Sequence, residues 1–455
     1  MAQVGLNSLE KKAAFSLATV FGLRMLGLFM ILPVFAIYGP SLEGYTPLWL
    51  GIAIGAYGLT QALLQIPMGM LSDKFGRKPI ILMGLVIFMI GSIVAAVSES
   101  IYGVVLGRAL QGMGAIASAI LALAADLTRE EQRPKVMATI GMFIGLSFTF
   151  ALVIGPVVTE HFGLAGLFWF TAILTIFAML MIQFMVPNSV HKAPKGDNVA
   201  IANQLSQLMT HPQLFRLNIG VFILHMVLTA CFIYLPTKLI DSGLGLESHW
   251  QLYLPALLGS FFLMVPFMII GIKKQKEKEM FAGAVALLAI ALLLFSMLEN
   301  SIVSLAILVV LFFVAFNYLE ATMPSMLSRI APAGVKGSAM GIFSSSQFLG
   351  AFAGGALGGW LSGHYGESGV FVVMSCFAVL WLLVALGMKR QSSSKSFSFS
   401  TSFSSEQQAD DVASKLINMP GVVEATLVNS EAVAYLKLDD KVANIAEIKA
   451  MLNPA

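Results

Sequence analysis

Four ionisable side chains, Arg24, Arg108, His225 and Glu320, stand inside apolar runs long enough to cross a bilayer. A charge in hydrocarbon is costly, so such residues are few and mark function by default. Glu320 is the best candidate for a proton carrier, because a carboxyl in a low-dielectric cavity is suited to loading and releasing a proton. His225 suits the same exchange, since imidazole changes charge in the physiological range. Each has a quieter alternative. Glu320 could be held permanently by Asn317, and His225 could be a structurally satisfied histidine. Arg24 lies about 15 Å into its run at 1.5 Å per residue. There it is either a cavity-wall charge for anionic groups or a clamp on a neighbouring carbonyl or carboxyl.

A fifth cluster sits between two runs. The stretch "GMLSDKFGRK" at 69–78 crowds Asp73, Lys74, Arg77 and Lys78 together, although only 11% of the chain is charged. Gly69 permits close helix contact and Gly76 a tight turn. Arg77 is expected to meet Asp126, at the inner end of the fourth apolar run.

The elements that must hold these residues follow from composition. With 58% hydrophobic residues and a mean hydropathy of +0.85, the chain belongs in a lipid bilayer. Twelve runs are expected, near 14–38, 47–70, 78–98, 102–126, 135–159, 164–186, 214–238, 250–272, 280–298, 302–328, 338–362 and 367–388. Loops on one side carry Lys74, Arg77, Lys78, Arg129, Arg133, Lys273, Lys274 and Arg329; those on the other carry Lys238 and otherwise Glu43, Glu99, Glu160, Asp241, Glu247, Glu299 and Glu367. Positive loops stay inside, which places both termini on the cytoplasmic side of the membrane. The polar stretch 187–213 divides the spans into two sets of six, 1–186 and 214–390. The halves match loosely at a shift of about 200 residues (Gly141 and Gly341, Gly155 and Gly355, Pro33 and Pro236), as expected of two related bundles around a central path.

Other chemistry is excluded. No nucleotide-binding signature occurs, and "GAFAGGALGG" at 350–359 is a small-residue helix contact rather than a phosphate loop. Cys231 and Cys376 lack metal or redox spacing and are expected to be buried thiols, and the 26 methionines are adaptable packing. No catalysis, cofactor, metal or nucleic acid is expected.

Gly69-x-Leu71-Ser72-Asp73-Lys74-x-Gly76-Arg77-Lys78 closely resembles the loop 2–3 signature of the major facilitator superfamily, with Ser72 at a usual alanine and Lys74 at a usual arginine. "GRALQGMGA", holding Arg108, Gln111, Gly112 and Gly114, is similar to the family's second signature. Gly155-Pro156 is similar to the signature of drug:proton antiporters, although Thr159 and Glu160 replace a glycine pair expected there. The resemblance spans about residues 10–390. It implies an all-α membrane fold of two six-helix halves, a charge-stabilising role for Arg108, and docking of Asp73 on the helix start near Gly337 and Ser338.

Past residue 390 the composition changes. Alternating Phe397 and Phe399, a helix over 406–418, two strands flanking Asn429-Ser430 and a helix near 443–452 predict a small ferredoxin-like α+β domain over 391–455. It looks like a heavy-metal-associated domain without the paired cysteines, so a regulatory or self-associating module is expected, with a stabilising appendage as the alternative. The expected whole is a proton-coupled exporter of small organic molecules, in which Gly69, Asp73, Gly76, Arg77 and Asp126 form a conformational latch. A proton-coupled importer and a membrane sensor with a transporter-like body are the other readings.

Overall fold

The computed structural model describes residues 5–129, 132–187, 202–298, 301–332, 335–389, 395–401, 406–428, 432–438 and 442–452. Ten helical runs are long and apolar enough to span a membrane. Two of them, Arg133–Phe184 and Lys336–Leu386, are each two spans joined at a glycine. Gly163 and Gly366 both take φ 65°, a left-handed conformation that costs glycine nothing and turns the chain back through the bundle. The described residues thus hold twelve spans.

Span 1 consists of Ser8–Phe29 and Leu32–Tyr38, and span 7 of Pro212–Cys231 and Leu235–Asp241. Both break just before a proline, Pro33 and Pro236, whose ring removes a backbone donor and crowds the preceding turn. Spans 2 and 3 are Pro47–Phe75 and Arg77–Ala96. Span 4 comprises Ile101–Met113 and Ala117–Asp126, and spans 5 and 6 lie either side of Gly163. Spans 8, 9 and 10 are His249–Lys273, Glu277–Met297 and Ile302–Ile330, and spans 11 and 12 flank Gly366. Pro33 and Pro236 are as far apart in sequence as Gly163 and Gly366, so the halves break in the same register.

Most of the expected inter-half stretch, 188–201, lies outside the described residues; its described end carries a helix, Ala202–Thr210. Two expectations are corrected. The loop at 69–78 shrinks to Gly76 alone, because span 2 continues to Phe75 and span 3 starts at Arg77. Cys376 is exposed on span 12 whereas Cys231 is buried. An apolar run in a membrane helix faces lipid as readily as protein, so it does not settle burial.

Within the halves, Gly22 of span 1 meets Phe143 and Ser147 of span 5, and Gly350 and Gly354 of span 11 sit on the backbone of Phe222 and Met226 of span 7. Between the halves, spans 2 and 11 press together. Gly51 lies on the carbonyl of Gly355, Gly359 on that of Pro47, and a Cβ at Gly55 would fall 2.8 Å from Phe352 Cα. The seam continues to mid-span, where Ser345 Oγ donates to the Ala62 carbonyl (3.0 Å). It closes the ends of spans 2 and 11 that adjoin the acidic loops. Towards the basic loops, span 2 faces its own half, with Gly69 beside Ser118 of span 4.

The C-terminal domain is an antiparallel sheet of β1 (Lys395–Ser400), β3 (Val433–Leu438) and β2 (Val422–Val428) in the order β1-β3-β2, with helices Glu406–Ile417 and Ile445–Leu452. Leu416, Ala434, Leu436, Leu438, Ile448 and Leu452 form its core, giving the ferredoxin-like fold over the described residues. On the other sheet face Lys437 Nζ donates to the Ile330 carbonyl (3.1 Å), the last residue of span 10, and pairs with Glu424 (3.5 Å). A cation at a helix C-terminus is favoured by the helix dipole. Burial pushes the Lys437 ammonium down from its ordinary value, and Glu424 offsets part of that.

Candidate functional site

Three polar constellations among the described residues hold the candidate residues. The first lies at the basic end of the N-terminal half, where Gly76 (φ 97°, ψ 150°) makes the turn between spans 2 and 3. That backbone conformation is one only glycine adopts freely, and it swings Arg77 back over the end of span 2. Arg77 Nη2 pairs with Asp73 Oδ1 at 2.6 Å, its Nε donates to Asp126 Oδ2 at 3.0 Å, and its Nη1 donates to Ser72 Oγ at 2.8 Å. Ser72 Oγ in turn donates to the Gly69 carbonyl (2.6 Å). Arg77 and Asp126 are almost wholly buried, with side chains 4% and 1% exposed. One guanidinium therefore serves two carboxylates in a dry setting, where losing one partner leaves an uncompensated charge. Ser72, which in sequence is only a departure from the usual alanine, supplies a contact to Arg77. Gly337 and Ser338, the expected docking point of Asp73, are buried at the start of span 11.

The second constellation is in the C-terminal half. His225 of span 7, Glu320 of span 10 and Gln347 of span 11 converge. The Gln347 amide nitrogen lies 2.8 Å from His225 Nε2 and donates to Glu320 Oε1 at 3.1 Å. His225 Nδ1 faces the Val221 carbonyl at 3.2 Å, and its Nε2 stands 3.7 Å from Glu320 Oε2. With Nδ1–H donating to Val221, Nε2 is an acceptor, and the two amide hydrogens of Gln347 serve the imidazole and the carboxylate together. Glu320 is not held by Asn317, which donates to Ser260 Oγ of span 8 instead (2.8 Å). Gln347, a mere polar neighbour in sequence, joins the two titratable groups.

The third constellation is cationic and fills the middle of the N-terminal half. Arg24 of span 1 is 2% exposed and Arg108 of span 4 is 1% exposed. Arg24 Nη2 donates to Gln61 Oε1 (2.6 Å), and Gln61 Nε2 donates to Gln65 Oε1 (3.0 Å). Arg108 Nη1 donates to Gln111 Oε1 (2.8 Å), and Gln111 Nε2 donates to Ser92 Oγ (2.8 Å). Both guanidiniums lie by the Tyr57 ring, at 5.6 Å and 5.2 Å from its centroid, and Arg24 also lies 5.5 Å from that of Phe88. Glutamine amides and aromatic faces thus hold two buried cations. Among the described residues no group of three or more His, Cys, Asp or Glu is placed to hold a metal ion.

Comparisons with known proteins agree with this architecture. The family model of the Major Facilitator Superfamily matches residues 17–355 and 277–420, and that of the YajR YAM domain matches 404–453. The chain is 43% identical over 451 residues to the inner membrane transport protein YajR of Escherichia coli, covering 98% of each chain. It is 38% identical over 350 residues to the uncharacterized transporter BU466 of Buchnera aphidicola, covering 77% of this chain and 90% of that one. Among solved structures, a D-xylose-proton symporter superposes with a TM-score of 0.64 at 16% identity, covering 84% of this chain and 98% of that one, a likeness of fold. The chain belongs to the major facilitator superfamily: it is an integral membrane transporter and not an enzyme.

Proposed function

We propose that the protein is a proton-coupled exporter of small organic molecules that works by alternating access. The observation that carries this reading is the His225–Gln347–Glu320 cluster, in which one amide bridges a base and an acid on three different helices. Protonation there rearranges contacts of span 11, and span 11 forms the seam with span 2 of the other half. A proton can thus bias how the halves sit. Gly155, beside Pro33 of span 1, lies in the antiporter-like segment and favours export. With basic loops inside, the end bearing Arg77 and Arg329 is cytoplasmic in this reading and the seam closes the outer side.

In this scheme Asp73, Arg77 and Asp126, with Gly69 and Gly76 shaping the turn, form the cytoplasmic latch. Protonation of a carboxylate such as Asp126 releases it. The ferredoxin-like domain over 391–455 is regulatory, and its Lys437 on the end of span 10 gives it a handle on the helix that carries Glu320.

The test is proton movement in inverted membrane vesicles when candidate organic substrates are added, with and without an imposed pH gradient. Wild type should exchange protons for substrate, and Glu320→Gln should abolish the exchange. Full coupling in Glu320→Gln would remove Glu320 as carrier, and no substrate-dependent proton movement in wild type under any gradient would overturn the reading.

A further inference from the structure

The cationic pair of the N-terminal half is unfinished in a way the other two constellations are not. Both the latch and the Glu320 cluster set opposite charges or matched donors and acceptors against each other. Among the described residues no carboxylate forms an ion pair with Arg24 or Arg108; their neighbours are Gln61, Gln111 and the Tyr57 ring. Arg24 Nε and Nη1, Arg108 Nε and the Tyr57 hydroxyl are buried and make no hydrogen bond of good geometry among the described residues, although the hydroxyl is close enough to Arg24 to interact with it. Buried polar groups are normally satisfied, and buried charges are normally paired. Two unpaired cations in one dry region are tolerated where an anion completes them.

The location suits a transported anion. Tyr57 contacts both guanidiniums and also reaches across the seam to Phe348 of span 11 (ring centroids 6.1 Å). The residue before Phe348 is Gln347, which bridges His225 and Glu320. Parting spans 2 and 11 would uncover the Tyr57 ring and the cations behind it. The surrounding rings of Tyr57, Phe88 and Phe348 offer an apolar body a place beside the charge.

We infer that Arg24, Arg108 and Tyr57 bind the anionic group of the cargo, and that the cargo class is an organic anion with an apolar body, such as an aromatic or aliphatic carboxylate. The inference rests on the transport reading. It gives span 11 two adjacent duties, sensing the occupied cation pair through Phe348 and the proton through Gln347.

The purified full-length protein in detergent tests this by thermal unfolding with benzoate, octanoate, neutral benzamide and sodium chloride. Benzoate and octanoate should raise the unfolding midpoint saturably, and benzamide should not. Arg24→Gln and Arg108→Gln should each weaken the carboxylate effect roughly tenfold or more, the size of a lost charge-assisted hydrogen bond. Arg24→Lys, which keeps the charge, should retain part of it. Tyr57→Phe keeps the packing, so it serves if an arginine variant fails to fold; it should weaken the effect a few-fold. Equal stabilisation by benzamide, an undiminished benzoate effect in the foldable variants, or a chloride effect to which carboxylates add nothing would overturn the inference. The readout needs no gradient. Carboxylate binding without proton movement would sink the transport reading alone, and proton-coupled transport without carboxylate binding would sink this inference alone.

Discussion

The halves carry one ion pair at corresponding places with its charges exchanged. In the first half the cation Arg77 opens span 3 and the anion Asp126 closes span 4; in the second the anion Glu277 opens span 9 and the cation Arg329 lies at the end of span 10. Contact lengths do not separate them, since Arg77–Asp126 is 3.0 Å and Arg329–Glu277 is 2.6 Å. Burial does. The first pair is nearly dry and shared with Asp73 and Ser72, whereas the second leaves its side chains 31% and 30% exposed. An exposed pair exchanges protein partners for water at little cost, while a dry one resists until its charge changes. The duplicated position can thus be a switch in one half and a surface tie in the other.

The sharpest way to break this contrast is to remove the cation from each pair. Arg77→Ala should destabilise the protein by about 3–5 kcal/mol, because the buried Asp126 loses its guanidinium partner. A thermal shift no larger than that of Arg329→Ala would refute the burial argument. Exchanging the residues sharpens it further. Glu277→Arg with Arg329→Glu should restore the wild-type midpoint, whereas Arg77→Asp with Asp126→Arg should not, because Asp73 and Ser72 are arranged for a cation at position 77.

The seam between the halves comes next in expected size. Gly55→Val places methyl groups against the Phe352 backbone, which should cost about 1–3 kcal/mol as overpacking. It should also lengthen spin-label distances between the acidic ends of spans 2 and 11. Gly259→Val on span 8, where a Cβ meets nothing within 4 Å, is the control. Unchanged distances in Gly55→Val would show that the seam does not limit closure.

The smallest effect belongs to the exposed pair itself. Arg329→Ala should change stability by under about 1 kcal/mol, and high salt should erase the difference. A larger loss would mean that the second half also relies on its ion pair.

How much of this is legible from residues alone depends on what fixes each contact. The spans, the basic and acidic loops and the division into halves follow from hydropathy and charge placement. Spacing alone brings Arg77 towards Asp126, because helix ends at one side of a bundle are neighbours. Contacts made by mid-helix side chains depend on helix rotation, which an all-apolar helix hardly encodes. For that reason Gln347 as the bridge, Ser260 as the partner of Asn317 and Tyr57 between two arginines emerge only in three dimensions. The contact of Ser72 is legible in part, since a hydroxyl at the usual alanine of the resembled signature, five residues from an arginine, is a signal. The outward position of Cys376 is not, because lipid and protein interior select the same apolar residues.

The glycine seam carries a last consequence. Backbone laid on backbone, with Gly51 against Gly355 and Gly359 against Pro47, excludes solvent while hiding little greasy area. Separating such surfaces forfeits little of the stabilisation that scales with apolar burial. The closed arrangement is therefore leak-tight without lying in a deep energy well. Under the alternating-access scheme the halves must part here repeatedly, and packed leucines at this position would deepen the closed state. Glycine combines a close seam with a small apolar area to part.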